Sequence, residues 1–399
     1  MRLWIYAVRR TLLVVPVIIG VMTITFACVT ALPVSQRLAD QFGTNPKVNY
    51  TPQVPCHNVG VNSSGLCRNP FYFRGIDLLG LNQPVPVQWA VYMYNSLTLH
   101  WGYVGNGSGL AGAVPIIKGV PVVTALGWFL PYTLELAALS LIIILAVSIP
   151  LGNLSAVNRN RPLDQASRIL SFSGFALPAF LLGSFMLFAF VIFLGGTTGR
   201  SPFCPGASSY FDLYGSWPAE QCWPGGLFPA WLTAGQISSP TGYPTIDAAI
   251  HGDWAIAADT IIRMLIPAFV IAYGTIAFLL RFVRNNMLEV LSLDYVRTAR
   301  AKGVPESMVV RKHAGRNSLN VTITVLGLTF AGFIGGFPII ESVFGLDGVG
   351  RMLAYSVSLQ PLDFGMIFGS TVLFTIIVVA ANLIVDLLYA ILDPRVRLG

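Results

Sequence analysis

A chain of 399 residues that is 54% apolar and only 10% charged carries well under half the charge of an ordinary soluble domain, where about a quarter of residues are charged. That excludes a water-exposed globule and points to a bilayer. Its formal charge of +7 does not indicate nucleic acid, because Lys and Arg lie between apolar runs rather than clustered on one face of a polar domain.

A hydrocarbon core about 30 Å thick requires roughly 20 apolar residues in helical form. Backbone polar groups in lipid must pair within the segment, so charge-free runs of that length are read as helices. The first is Thr11 to Leu32, preceded by Arg2, Arg9 and Arg10. A signal-peptide core is only about 7 to 15 residues, so this longer run is read as a retained anchor, with cleavage after Ala31 the other reading. The next stretch, Leu78 to Ile117, is charge-free but broken by Pro84, Pro86, Gln88, Asn95 and His100. It reads as a poor span whose Trp89, Tyr92, Tyr94, Trp101 and Tyr103 suit a membrane interface. Five further runs follow: Leu136 to Asn158, Ile169 to Gly199, Met264 to Leu280, Asn317 to Ile340 and Phe364 to Val385. The expected fold is an all-α integral membrane protein of six transmembrane helices with enlarged external loops.

Lys and Arg accumulate on cytoplasmic loops. With the N-terminus inside, 16 of the 24 Lys and Arg fall in the cytoplasm, so both termini are expected there. Cysteine positions agree with that orientation: Cys56 and Cys67 lie in the first external loop, Cys204 and Cys222 in the second, and Cys28 in the first helix. Disulfides persist in oxidising compartments. Short loop closure favours Cys56 with Cys67 and Cys204 with Cys222, against three possible pairings or four free thiols. A metal site at Cys56 and His57 is the weaker reading, and none is assigned. Asn49, Asn62 and Asn106 open Asn-x-Ser/Thr acceptors in the same first loop, although chance can also produce them.

The segment between the fourth and fifth runs carries most information. Helical residues extend to about Lys302, Gly303 suits a left-handed helix end, and Pro305 suits the first position of another helix. The product is a helix-turn-helix in the cytoplasm. Ala299, Ala301 and Gly303 leave room for another protein, while Arg297, Arg300 and Lys302 supply charge; the alternative is a solvated loop. Within the membrane, Glu135 and Asp386 sit at predicted helix ends and read either as structural groups or as substrate contacts. Thr322, Thr324 and Thr329 accompany Gly327, Gly332, Gly335 and Gly336 on a small-residue surface that suits close packing or lines a passage.

No nucleotide-binding P-loop is present, because no Gly-Lys pair occurs, and neither His-Glu-x-x-His nor Gly-x-Ser-x-Gly is found. Nothing nominates a catalytic residue, so the chain is not read as an enzyme. An ion-coupled secondary transporter is the rival reading. It would commonly carry an internal repeat and charges near the bilayer midplane.

Asp294-Tyr-Val-Arg-Thr-Ala-Arg-Ala-Lys-Gly303, followed by Arg316-Asn317, resembles the coupling segment of permeases from the oligopeptide and dipeptide class of ATP-binding-cassette importers. Four more stretches resemble that family in order: Arg9-Arg10, Pro131 to Leu136, Glu341 to Arg351 and Asn382 to Arg395. Arg297 stands where the broader motif often has Glu, and Val321 where Pro is usual. The resemblance implies a type I importer permease in which Asp294, Tyr295, Arg297, Thr298, Ala299, Ala301, Lys302, Gly303, Arg316 and Asn317 contact the ATPase. It also implies that the threonines of the fifth helix border the path. The partners implied are a second homologous permease subunit, two ATPase subunits or domains that hold ATP and Mg, and an extracytoplasmic substrate-binding protein. This chain itself is expected to carry no cofactor. The substrates implied are dipeptides, oligopeptides or oligosaccharides. The expected organisation is a tail and first helix at 1–32, an external subdomain at 33–130, and a permease core at 131–399. That core holds an external insertion at 196–262 and the coupling segment at 285–317.

Overall fold

The computed structural model describes residues 3–42, 51–55, 65–105, 108, 110, 117–190, 241–252, 254–315, 318, 335–346 and 348–392. They are mostly helical: α1 (Leu3–Thr30), α2 (Val34–Phe42), α3 (Pro70–Leu78), α4 (Val85–Leu97), α5 (Val122–Val157), α6 (Pro162–Ala176) and α7 (Ala179–Phe190). Then come α8 (Pro244–Ile250), α9 (Trp254–Leu291), α10 (Asp294–Ala301), α11 (Glu306–Met308), α12 (Phe337–Phe344), α13 (Val349–Ser358) and α14 (Phe364–Leu392). One antiparallel pair, β1 (Gln53–Pro55) and β2 (Leu66–Arg68), sets Val54 opposite Cys67. The chain is mostly helical, as the all-α expectation requires, and this small hairpin stands beside the helices.

The chain divides into two compact units, one of residues 13–131 and 347–376, the other of 1–12, 132–346 and 377–399. In the first unit, buried Asn69 caps α3 by accepting from the backbone N–H of Phe71 and Tyr72 at 3.1 and 3.4 Å. Asp363 does the same for α14, accepting from Met366 N at 2.8 Å and from Gly105 N at 3.0 Å. Pro84 caps α4 and Pro86 lies in its first turn, where the missing N–H breaks no helical bond. At 13 residues, and about 1.5 Å per residue, α4 is too short to span. Aromatic side chains of this stretch are partly packed within the protein. Trp89, Tyr92 and Trp101 pack on a core of Met22, Met93 and Val372, and Trp89 Nε1 donates to Thr23 Oγ1 at 3.1 Å. Tyr94, on the outward face of α4, and Tyr103, beyond the helix, remain exposed.

In the second unit α9 is the central element, with α6, α7, α8 and α12 packed against it. Glycines permit the closest approaches. A Cβ on Gly152 of α5 would lie 2.8 Å from Val283, and one on Gly174 of α6 would overlap the Ala277 methyl. Gly174→Leu should therefore cost about 1–3 kcal/mol through overpacking. Gly127→Ala, in open space on α5, should be neutral or slightly stabilising. Thermal unfolding in detergent distinguishes the two; equal midpoints would refute the tight α6–α9 contact.

Among the described residues, three helices are long and apolar enough to cross a membrane: α5, Thr260–Leu291 of α9, and Phe364–Val385 of α14. A fourth is counted if α6 and α7, bent by 106°, form one span, and α1 carries a shorter apolar stretch, Val15–Thr30. The uninterrupted third span expected over Ile169 to Gly199 is thus corrected. Pro178 forces its predecessor out of helical conformation, and Leu177 is extended at φ −99°, ψ 114°. Most of the fifth expected run, Asn317 to Ile340, lies outside the described residues. The other expected boundaries, drawn at charges, fall short of the real ones. α9 continues through Arg281 and Arg284 to Leu291, and α5 begins at Val122, which puts Glu135 well inside the helix instead of at its end.

Candidate functional site

The segment after α9 is built by two breaks of known chemistry. α9 stops at Leu291, and Leu293, extended at φ −71°, ψ 148°, starts α10. The expected continuous helix to Lys302 is therefore interrupted at Ser292–Leu293. Asp294 occupies the first turn of α10 and Arg300 the last, each placed to complement the helix dipole. The helix ends in a Schellman arrangement: Val304 N donates to Ala299 O at 3.2 Å and Gly303 N to Arg300 O at 2.9 Å. Gly303 sits at φ +76°, the left-handed conformation expected of it. Pro305 is the cap of α11 rather than its first helical residue, and α11 passes into a π-helical turn, Val309–Ala314.

Arg300 clasps Glu306 across that turn, with Nη2–Oε1 at 2.6 Å and Nε–Oε2 at 3.0 Å. The guanidinium holds the Glu306 carboxyl below the usual carboxylate range, and the pair raises Arg300 in return. Both side chains are well exposed, so the clasp is worth at most about 1 kcal/mol; its effect is to fix the angle between the helices. The inner face is apolar. Val296, Val309 and Ala314 are fully buried, and Ala314 packs with Met287, Val290 and Ala156.

The outer face is open. Asp294, Tyr295, Arg297, Thr298, Ala301, Lys302 and Gly303 are exposed and Ala299 is half-buried. A Cβ on Gly303 would meet nothing within 4 Å. Thr298 Oγ1 donates back to Asp294 O at 2.9 Å, Arg297 lies 3.4 Å from Asp294, and Tyr295 OH donates to His313 O at 3.3 Å. The segment thus presents a small-residue turn, flanked by cations, on a support anchored to α9 and the end of α5.

One feature of that support was not read from the sequence. Five hydrogen bonds converge on the buried carboxylate of Asp164: from Ser155 Oγ (2.7 Å), Asn160 N (2.9 Å), Arg168 Nη2 (2.7 Å), Arg284 Nε (2.6 Å) and Arg284 Nη2 (3.0 Å). They tie the start of α6 to α9, 120 residues away in sequence, just ahead of the helix-turn-helix. A second buried carboxylate, Glu341 on α12, accepts from Thr133 Oγ1 of α5 at 2.8 Å. Glu135 faces Thr245 of α8.

Arg316, Asn317, Thr322, Thr324 and Thr329 lie outside the described residues, as do Asn49, Asn62, Asn106, Cys56, Cys204 and Cys222. Cys67 on β2 is disulfide-bonded. The Asp386 side chain is likewise not described.

A family model for the binding-protein-dependent transport system inner membrane component matches residues 148–398, more than half of the chain and all of the helix-turn-helix. The chain belongs to that family. As a binding-protein-dependent transport component it is a membrane permease subunit, and the family is one of transporters rather than enzymes. It is similar to the oligopeptide transport system permease protein AppB of Bacillus subtilis, 31% identical over 98% of this chain and 99% of that one. It is also similar to two Escherichia coli K12 proteins. The probable D,D-dipeptide transport system permease protein DdpB is 36% identical over 80% of this chain and 83% of its own length. The dipeptide transport system permease protein DppB is 28% identical over 98% of both.

Proposed function

We propose that this permease subunit forms one half of the passage of an ATP-driven importer for short peptides, and that its helix-turn-helix docks on a separate ATPase. The observation that carries the reading is the Gly303 turn: rigidly capped from within, unobstructed from without, in a chain resembling peptide permeases along nearly its whole length. ATP and Mg bind the partner ATPases, a second homologous permease completes the passage, and a binding protein delivers substrate from outside. Closure of the ATPases on ATP moves α10 and α11; α9, joined to α6 through Asp164, carries that motion to the membrane helices. Arg316 and Asn317 complete the docking surface, and Thr322, Thr324 and Thr329 line the path. Both termini lie in the cytoplasm, in keeping with the charge distribution.

On the outer side Cys67 pairs with Cys56, a reading supported by the hairpin register that sets Pro55 opposite Leu66. Cys204 pairs with Cys222. Peptides are favoured over oligosaccharides because the relatives above are named for peptides. Uptake of a radiolabelled tripeptide should fall to background in source cells lacking this chain and return when it is restored, with labelled maltotriose uptake unchanged. Loss of maltotriose uptake with the tripeptide unaffected would overturn the peptide assignment.

A further inference from the structure

A cavity of about 330 Å³ lies between the α5–α6 connection and the lower half of α9, and four arginines line it: Arg159, Arg168, Arg281 and Arg284. Asp164 is the carboxylate that answers them. It is already saturated by Arg168, Arg284, Ser155 and Asn160 N. Among the described residues Arg159 and Arg281 make no ion pair. The cavity therefore holds more cationic charge than the protein neutralises, at the point where α9 leaves its apolar stretch.

Its rim gives the second observation. Phe172 lines the cavity and is 66% exposed, and Ile169, one turn earlier on α6, is 69% exposed. Exposed rings and aliphatic groups beside a cluster of guanidinium groups form an amphipathic site rather than a purely ionic one. A planar guanidinium matches phosphate oxygens in bidentate fashion and loses less hydration than an ammonium on doing so. Basic pockets between membrane helices are a recognised setting for anionic head groups.

We infer that this cavity binds the phosphodiester head group of an anionic membrane phospholipid, with Ile169 and Phe172 alongside its acyl chains. The lipid phosphate neutralises Arg159 and Arg281 and leaves the Asp164 pairs intact. A free phosphate ester has the same ionic chemistry but leaves the apolar rim uncovered. The inference requires only that the chain is a membrane component, and it stands whether or not the helix-turn-helix docks on an ATPase.

The test uses the full chain, delipidated in a neutral detergent, with native mass spectrometry reading the bound species. The probes are dioleoylphosphatidylglycerol, dioleoylphosphatidylcholine and glycerol phosphate. Phosphatidylglycerol should be retained at concentrations where the other two are not. A cation near an anionic lipid surface is worth about fivefold in affinity. Arg159→Gln and Arg281→Gln should therefore each weaken retention by about that factor, and together by more than tenfold. The pair R159K/R281K, which keeps the charge but loses the bidentate fork, should bind more weakly than the wild type and more tightly than the double glutamine variant. Both arginines are exposed, so either single change suffices if the double variant fails to insert. Equal retention of phosphatidylcholine, or unchanged binding in the glutamine variants, would overturn the site. Glycerol phosphate binding as tightly as the lipid would overturn the lipid assignment in favour of a free phosphate ester.

Discussion

Gly303→Trp is expected to abolish ATP-driven uptake while leaving the protein inserted in the membrane. Two effects separate cleanly at this residue. The backbone stands at φ +76°, where a β-carbon costs about 1–2 kcal/mol. A β-carbon placed there meets nothing within 4 Å, so a large side chain leaves the turn without an immediate clash and its bulk is offered to whatever docks there. Asn tolerates the left-handed conformation better than other side chains, so Gly303→Asn should keep the turn and lose much less transport. Uptake should drop at least about tenfold in the Trp variant, equivalent to about 1.4 kcal/mol of lost coupling, with substrate no longer stimulating ATP hydrolysis. Normal uptake in Gly303→Trp would remove the coupling assignment.

Asp164→Ala should be the most destabilising single change on the support of the helix-turn-helix. It strands Arg284, whose side chain is only 12% exposed and whose bidentate partner is lost, and it removes one of the two hydrogen-bond partners of buried Ser155. Removing one member of a buried ion pair costs about 3–5 kcal/mol, because the remaining charge stays desolvated. Arg168→Gln is the contrast: that side chain is 44% exposed, so its loss should cost no more than about 1 kcal/mol. Thermal unfolding in detergent at matched lipid content reads both. Similar midpoints for the two variants would mean that Asp164 does not hold α6 to α9.

The apolar runs were legible because a bilayer imposes a length and composition that no soluble element needs. Gly303 was legible because Lys-Gly-Val-Pro combines a left-handed terminator with a residue that cannot continue a helix. Boundaries drawn at charges failed for a physical reason. Arg284 sits inside a helix because a distant residue, Asp164, meets its side chain, and such a pairing is invisible along the chain. The bend at Leu177–Pro178 was readable from Pro178 itself. Counting charges alone passed over it, since proline is apolar and uncharged. The break at Ser292–Leu293 carries no glycine or proline, and only tertiary packing reveals it. Of the candidate site, the outward face of α10 and the turn follow from local sequence. The anchoring below it, through Asp164 and through Ala314 on Met287 and Val290, depends on contacts that local sequence does not encode.

The most direct test is co-purification of the tagged chain, wild type and Gly303→Trp, with ATPase candidates co-expressed from the source genome, after insertion of both forms is verified. One ATPase should be retained stoichiometrically by the wild type and lost from the Trp variant. Retention of that ATPase by both forms would contradict docking at this turn, and failure of every ATPase candidate to associate with the wild type would contradict the ATP-driven importer itself.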